Sequence, residues 1–288
     1  ERGSHKPCVG GSSPPIATRP LPPARLAYHP RVTELLSAPP GALREAFAAH
    51  LATSMLLDGA TALVAACSGG SDSTALVVLL AGEARRRGLP LVGFHVDHQL
   101  RGAEGHRDAR AAADLSHALG ASFVFRSFPV RDLREHGESL EAAARRLRYE
   151  SLLALGRDLG PGTLLATGHT RDDQAETVLL HLERRLGRTR GGIRPRRADG
   201  VVRPLLPFGR GELRAFLDEE GVPWREDASN ADERFARNRV RHRILPALEA
   251  RWPGTSVRLA RAAEALTRRL DALDARVDAA LEGAGIPL

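Results

Sequence analysis

The chain has 288 residues, of which 42% are hydrophobic and 27% charged, a balance that suits one large globular domain with a smaller appendage. Two cysteines are too few for a disulfide framework, a zinc ribbon or an iron–sulfur set, and no apolar run reaches the roughly 20 residues of a membrane span, so the expected setting is cytoplasmic with no membrane partner. The net charge of +7 is carried by arginine, since Lys6 is the one lysine; a GC-rich genome accounts for that bias, and so does contact with phosphate and base edges, which a planar guanidinium suits.

Residues 1–25 are rich in Pro, Gly and Ser without apolar periodicity and are expected to form a disordered tail, with Gly3-Ser4-His5 reading as an expression scar. Apolar residues at helical spacing over 43–57 predict a helix ahead of the first strand. The pattern then alternates: strands at 61–66, 91–96, 122–128 and 163–167, with amphipathic helices at 73–87, 106–119, 140–155 and 172–186. Strands separated by helices imply parallel pairing through right-handed crossovers, so the fold class is α/β, a doubly wound parallel sheet with ligands at the carboxyl ends of its strands. Five arginines among glycines over 187–200 predict a solvated loop. Residues 201–208 are apolar again, and helices are expected at 211–220, 235–252 and 256–281. A boundary near 209 divides a catalytic domain, 26–208, from a smaller helical C-terminal domain, 209–288.

Five clusters carry the chemistry. Cys67-Ser68-Gly69-Gly70-Ser71-Asp72-Ser73 stands on the turn from the first strand to its helix. Its glycines let the backbone approach an anion, the helix amides point at it, and Ser68, Ser71 and Ser73 add hydroxyls. Asp72 sets a carboxylate where only a bound cation makes it welcome. The spacing is neither G-x-x-x-x-G-K-[ST] nor G-x-G-x-x-G, and a plain Ser/Gly turn remains open on the hexapeptide alone. Asp97 and His98 close the second strand, at a loop or at a nucleotide edge. Arg145 and Arg148 share one face of the long helix with Tyr149, for solvent, for Glu141 and Glu150, or for an anion. His169, Asp172, Asp173 and Glu176 gather within eight residues after the fourth strand; a helix dipole accounts for one such acid but not for the set. Further along, Arg237-Asn238-Arg239-Val240-Arg241 opens a basic helix suited to a nucleic-acid backbone.

The hexapeptide Ser68 to Ser73 resembles the pyrophosphate loop of the N-type ATP pyrophosphatases, the adenine nucleotide α-hydrolase-like fold, which split ATP between its α and β phosphates. Together and in this order, that loop, Val96-Asp97-His98-Gln99-Leu100-Arg101, the helix from Arg145 to Tyr149, Gly168-His169 through Glu176-Thr177, and Glu226-Asp227-Ala228-Ser229-Asn230 through His242 resemble the tRNA(Ile)-lysidine synthetases. The resemblance covers about Leu63 to Leu248. It implies ATP-dependent adenylation of the wobble cytidine of a tRNA(Ile) with a CAU anticodon, then displacement of AMP at C2 by the ε-amine of free L-lysine. By position it implies a triphosphate on Ser68, Gly69, Gly70, Ser71, Asp72 and Ser73, Mg2+ on Asp72 and Asp173, and adenine between Asp97 and His98. His169, Arg145 and Arg148 would act on the cytidine and the developing charge, Glu176 would take the lysine ammonium, and Arg237, Asn238, Arg239 and Arg241 would bind tRNA. Self-association is left open. Three departures stand out: Thr170 where the family often has a second histidine, an arginine-rich stretch over 183–197, and no additional C-terminal domain before Leu288.

Two other readings share some of these features. A tRNA cytidine thiolase of the same superfamily needs cysteines that Cys8 and Cys67 do not supply. A non-catalytic RNA-binding protein on a nucleotide fold has no use for Asp72, His169 and Asp173 together.

Overall fold

The computed structural model describes residues 41–183, 191–225 and 236–283, and the tail expected at 1–25 lies outside them. Helix α1 (Ala42–Ser54) precedes strand β1 (Ala62–Ala66), and the alternation then runs α2 (Ser71–Arg87), β2 (Leu91–Asp97), α3 (Ala103–Ala118), β3 (Ser122–Ser127), α4 (Leu140–Leu159), β4 (Thr163–Ala166) and α5 (Arg171–Glu183). A two-residue strand β5 (Val201–Val202) is followed by α6 (Arg210–Glu219). The C-terminal helices are α7 (Ala236–Arg239), a π turn over Val240–Ile244, α8 (Leu245–Arg251) and α9 (Thr255–Gly283).

The five strands pair in the order β3-β2-β1-β4-β5, each neighbouring pair parallel. The chain leaves β1 towards β2 and β3 on one side, then returns to β4 and β5 on the other. The order reverses between β1 and β4, and the crevice beyond their carboxyl ends is where such a sheet receives a ligand.

Both faces of the sheet are buried, as parallel strands covered by helices require. Along β1 the pleat sends Leu63 and Ala65 into one core and Val64 into the other. The first core takes Phe47 and Leu51 from α1, Leu76 and Leu80 from α2, and Leu115 from α3. The second takes Leu152 and Leu155 from α4 with Phe94, Leu165 and Val201. Ser139 caps α4, its hydroxyl accepting the Ala142 N–H at 3.1 Å.

Helix α6 belongs to the first core, since Leu213, Phe216 and Leu217 are buried with Leu205 and Phe208 beneath α2. The sheet's packing therefore runs past the boundary expected at 209. Residues 191–200 differ in part from a free solvated loop: 194–199 are exposed, but the Gln174 amide binds both the N–H and the C=O of Ile193. An antiparallel bridge from Arg196 to Val202 folds the segment back onto β5. Residues 184–190 and 226–235, which carry part of the arginine-rich stretch and the first half of the last motif, lie outside the described residues. Among the described residues no helix is long and apolar enough to cross a membrane.

Candidate active site

The loop after β1 is built by its own hydroxyls. Gly69 turns the chain at φ +89°, and Gly70 opens α2 with no side-chain cap, which leaves the first amides of the helix facing the crevice. Ser73 is buried; its hydroxyl accepts the Ser68 N–H at 3.1 Å and donates to the Gly70 carbonyl at 3.0 Å. Ser68, at the exposed lip, reaches the same hydroxyl at 3.1 Å. Ser73 thus holds the loop's shape, and Ser68, Gly69 and Gly70 line its opening.

Strand β4 delivers the second half of the site against this loop. A Cβ on Gly168 would sit 3.2 Å from the backbone C and O of Asp72 and the N of Ser73, so glycine gives the approach its room and a side chain there would press on the loop backbone. Thr170 then caps α5 reciprocally with Asp173. The Asp173 N–H points at the Thr170 hydroxyl at 3.4 Å, while Asp173 Oδ2 accepts the Thr170 N–H at 2.8 Å and its hydroxyl at 3.1 Å. That box fixes Oδ2 and leaves Oδ1 to the guanidiniums of Arg210, Arg237 and Arg241. The threonine that departs from the family's histidine is therefore the residue that orients the acid.

Asp72, Asp173 and Glu176 converge on a shared set of guanidiniums. Arg210 donates from Nε to Asp72 Oδ2 at 3.1 Å, from Nη2 to Asp173 Oδ1 at 3.3 Å and from Nη1 to Glu176 Oε1 at 3.5 Å. Arg237 adds 2.9 Å to Asp173 Oδ1 and 2.8 Å to Glu176 Oε2, and Arg241 adds 2.7 Å to Glu176 Oε1. Burial alone raises the Asp173 carboxyl, but Arg237 and Arg210 outweigh it and hold the group below the ordinary carboxylate range. At Asp72 burial wins and the carboxyl lies above its usual value, with Arg210 opposing and the Asp173 charge reinforcing the shift.

His169 hangs at the end of β4, its Nδ1 3.0 Å from the Thr167 hydroxyl. Burial, then the charges of Arg203, Arg145 and Arg237, bring its imidazole down to about 4 against an opposing pull from Asp173, so it is neutral at physiological pH. His98 is likewise held at about 4 by burial and then by Arg148, whose Nη2 stands 3.5 Å from His98 Nε2. Arg145 and Arg148 share the exposed face of α4 as their spacing predicts, with Arg145 5.0 Å over the Tyr149 ring. The half-buried Tyr149 also carries Arg197 at 5.3 Å, so the 191–200 segment adds a cation to that face.

Asp97 ends β2 with Oδ1 accepting the Gln99 N–H at 2.9 Å, and its buried Oδ2 has no hydrogen-bond partner among the described residues. Gly105 permits this, since a Cβ there would lie 2.5 Å from Asp97 Oδ1. Of the four residues expected to track tRNA, Arg237 and Arg241 turn inward onto the acids, Asn238 is buried, and Arg239 faces outward. Three residues escaped the sequence reading. Arg210 joins the acids; Asp108, buried beneath the loop, binds Arg101 at 2.9 Å and Arg225 at 2.7 Å; and the Arg225 N–H closes the loop on the Gly69 carbonyl at 3.0 Å. For Arg210 a signal existed: a cation in the first turn of a helix opposes the dipole unless acids stand nearby.

Comparison with known proteins agrees with this geometry. The PP-loop domain model matches residues 43–248. A curated tRNA(Ile)-lysidine synthase of Salinispora arenicola is 42% identical over 258 residues, 88% of this chain and 75% of that protein. Those of Alkalilimnicola ehrlichii and Solibacter usitatus are 43% and 44% identical, across 78% and 68% of this chain. The chain spans about half the length of these two relatives, 51% and 43%. Among solved structures, the U34-tRNA thiolase NcsA of Methanococcus maripaludis with its 4Fe-4S cluster superposes with a TM-score of 0.62 over 78% of this chain and 80% of that one; at 16% identity this likeness concerns the fold. With the domain match spanning most of the sheet and its following helices, and with such identity to full relatives, the chain belongs to the tRNA(Ile)-lysidine synthase family, built on a PP-loop domain.

Proposed function

We propose that this chain ligates L-lysine to C2 of the wobble cytidine, position 34, of a tRNA(Ile) with a CAU anticodon, consuming ATP and releasing AMP and pyrophosphate. The observation that carries the reading is the meeting of Asp72 Oδ2 and Asp173 Oδ1 on one guanidinium beside the open end of a phosphate loop. Two carboxylates at one point fit the habit of Mg2+, which takes one or two protein acids and completes its shell with phosphate and water. Bound there by Asp72 and Asp173, the ion supplies charge neutralisation to the triphosphate.

The chain's own groups divide the remaining work. Loop amides from Gly69 onward hold the phosphates, and Asp97 with its open Oδ2 sits beside His98 at the adenine end. In the first step O2 of the cytidine attacks Pα, the Pα–O bond to the β phosphate breaks, and pyrophosphate leaves with the electron pair. In the second, the lysine ε-ammonium gives a proton to solvent and the freed amine attacks C2 with its lone pair. The C2–O2 bond then breaks, and AMP departs with that bond's electron pair and with O2 on its phosphate. Neutral His169 donates a hydrogen bond to the activated oxygen, and Arg145 and Arg148 hold the flipped base and its phosphate charge. Glu176, fully buried and already bound to guanidiniums, is the acid for the lysine ammonium. The helices from Ala236 onward present Arg239 to the tRNA backbone. All of these components meet in the cytoplasm.

A thiolase reading asks for a reactive sulfur. Cys67 is buried just past the end of β1, and burial pushes its thiol up to about 11, which disfavours the thiolate. Incubation with ATP, labelled lysine and the CAU-anticodon tRNA, followed by nucleoside analysis, tests the proposal. Labelled lysidine is the expected product; a thiolated nucleoside, or unmodified cytidine with no pyrophosphate released, rejects it.

A further inference from the structure

Arg210 is held by acids on every side. Its backbone N–H donates to Asp172 Oδ2 at 2.7 Å, and its guanidinium reaches Asp72, Asp173 and Glu176, which come from α2 and α5. Among the described residues three carboxylates and three guanidiniums form the cluster, but they are not shared evenly. Asp173 and Glu176 each have Arg237 and Arg241 as well, whereas Arg210 is the one cation on Asp72 among the described residues. The Ser71 hydroxyl, 3.2 Å from Oδ1, is the other group on that carboxylate.

A guanidinium between Asp72 Oδ2 and Asp173 Oδ1 occupies the point that the proposed metal needs, and a dication cannot be added beside it without strong like-charge repulsion in a half-buried site. We propose that Arg210 is a stand-in counter-ion: it keeps the two acids in register while the site is empty of nucleotide and yields its place when a metal–nucleotide enters. The inference rests on the reading above that these acids receive a metal with ATP. A bare dication must displace Arg210 from Asp72 and Asp173 and leave the half-buried guanidinium with only its long 3.5 Å contact to Glu176, which is costly. A metal–nucleotide brings phosphate oxygens on which the same guanidinium re-pairs. Arg210 is then a positioning residue that makes the site accept metal with nucleotide and resist metal alone.

Binding of Mn2+, followed by electron paramagnetic resonance on the full chain without lysine or tRNA, reads this directly. The Arg210→Gln variant is expected to bind Mn2+ in the absence of nucleotide at least about tenfold tighter than the unaltered chain. Adding Asp72→Asn should remove the gain. Equal or weaker Mn2+ affinity in a folded Arg210→Gln protein overturns the proposal. Should that variant not fold, arginine Nε–H resonances of the unaltered chain serve instead, with the Arg210 signal assigned from Arg210→Lys. A shift on adding Mg2+ with α,β-methylene-ATP supports displacement, and an unmoved signal rejects it. Neither readout depends on product, so a failure to form lysidine with the Mn2+ difference intact strikes the reaction alone, and normal lysidine formation with unchanged Mn2+ binding strikes Arg210 alone.

Discussion

Thr170 and Asp173 cap each other across the first turn of α5, and the exchange decides which way the acid points. Both donors of Thr170 fall on Oδ2, leaving Oδ1 for Arg237, Arg210 and Arg241. Removing the hydroxyl in Thr170→Ala should cost about 1–2 kcal/mol of stability, as loss of a helix cap does. Because Asp173 also loses its orientation, tRNA-dependent pyrophosphate release should fall further than the melting temperature accounts for. Thr170→Ser, which keeps the hydroxyl, should restore both. Denaturant midpoints and a pyrophosphate assay on the two variants check this, and equal activity in both would remove the orienting role.

Asp173 itself should be indispensable to the first chemical step. Asp173→Asn keeps the shape and Oδ2's counterpart while deleting the charge, and pyrophosphate release should drop by about two to three orders of magnitude. Affinity for tRNA should change little, since the acid is buried among arginines. A variant turning over at the parent rate would remove Asp173 from the metal assignment.

The basic helix separates into two classes that one experiment can tell apart. Arg237→Ala takes two charged hydrogen bonds from buried Asp173 and Glu176 and should cost about 2 kcal/mol of stability, the scale of such bonds when other partners remain. Arg239→Ala, on the exposed side, should reduce the salt dependence of tRNA binding by about one unit of log–log slope. Melting curves and filter binding between low and moderate salt distinguish the two. The reverse assignment, a stable Arg237→Ala with a flattened salt slope, would sink it.

The split explains where the sequence was legible and where it was not. Glycines at a strand-to-helix turn and acids crowded into a helix start are local signals, so the loop at Ser68–Ser73 and the cluster from His169 to Glu176 could be read directly. So could the parallel sheet, because strands and helices alternate with distinct periods. Partnerships across more than thirty residues leave no such trace. Arg210 to Asp72, Arg225 to Asp108 and Arg241 to Glu176 are closed by the tertiary fold, and a run such as Arg237 to Arg241 looks like a phosphate tracker until its acids are seen. Strand β5 is two residues long, too short for any period to register, and α6 reads as the start of a new domain although its apolar face completes the old one.

Acid should unfold the protein from the histidine range downward. His98 and His169 ionise near 6.5 when unfolded but only at about 4 in the fold, so between those values the unfolded chain binds more protons. Stability is therefore full above pH 6.5 and declines as the pH falls towards 4. A melting-temperature series across that window should slope downward on acidification, and the double variant His98→Gln with His169→Gln should make it shallower, the remainder falling to His50 and His95, which burial also lowers. An unchanged slope in the double variant would show that other groups carry the acid sensitivity.

The contact between β4 and the phosphate loop offers the sharpest steric test. A methyl group on Gly168 would press on the backbone of Asp72 and Ser73 at 3.2 Å, and backbone at the start of α2 cannot swing aside as a side chain can. Gly168→Ala should therefore push the loop and the β4 end apart by a few tenths of an ångström, enough to misplace amides that must meet phosphate at hydrogen-bond distance. The KM for ATP is expected to rise about tenfold while the melting temperature moves only slightly, because the strain is local and the two cores are untouched. Gly211→Ala, with nothing within 4 Å of the new methyl among the described residues, supplies the control and should keep the parental KM. A Gly168→Ala protein with parental KM would mean that the loop receives nucleotide without the support of β4, and the convergence of Asp72 with Asp173 would then lose its structural basis.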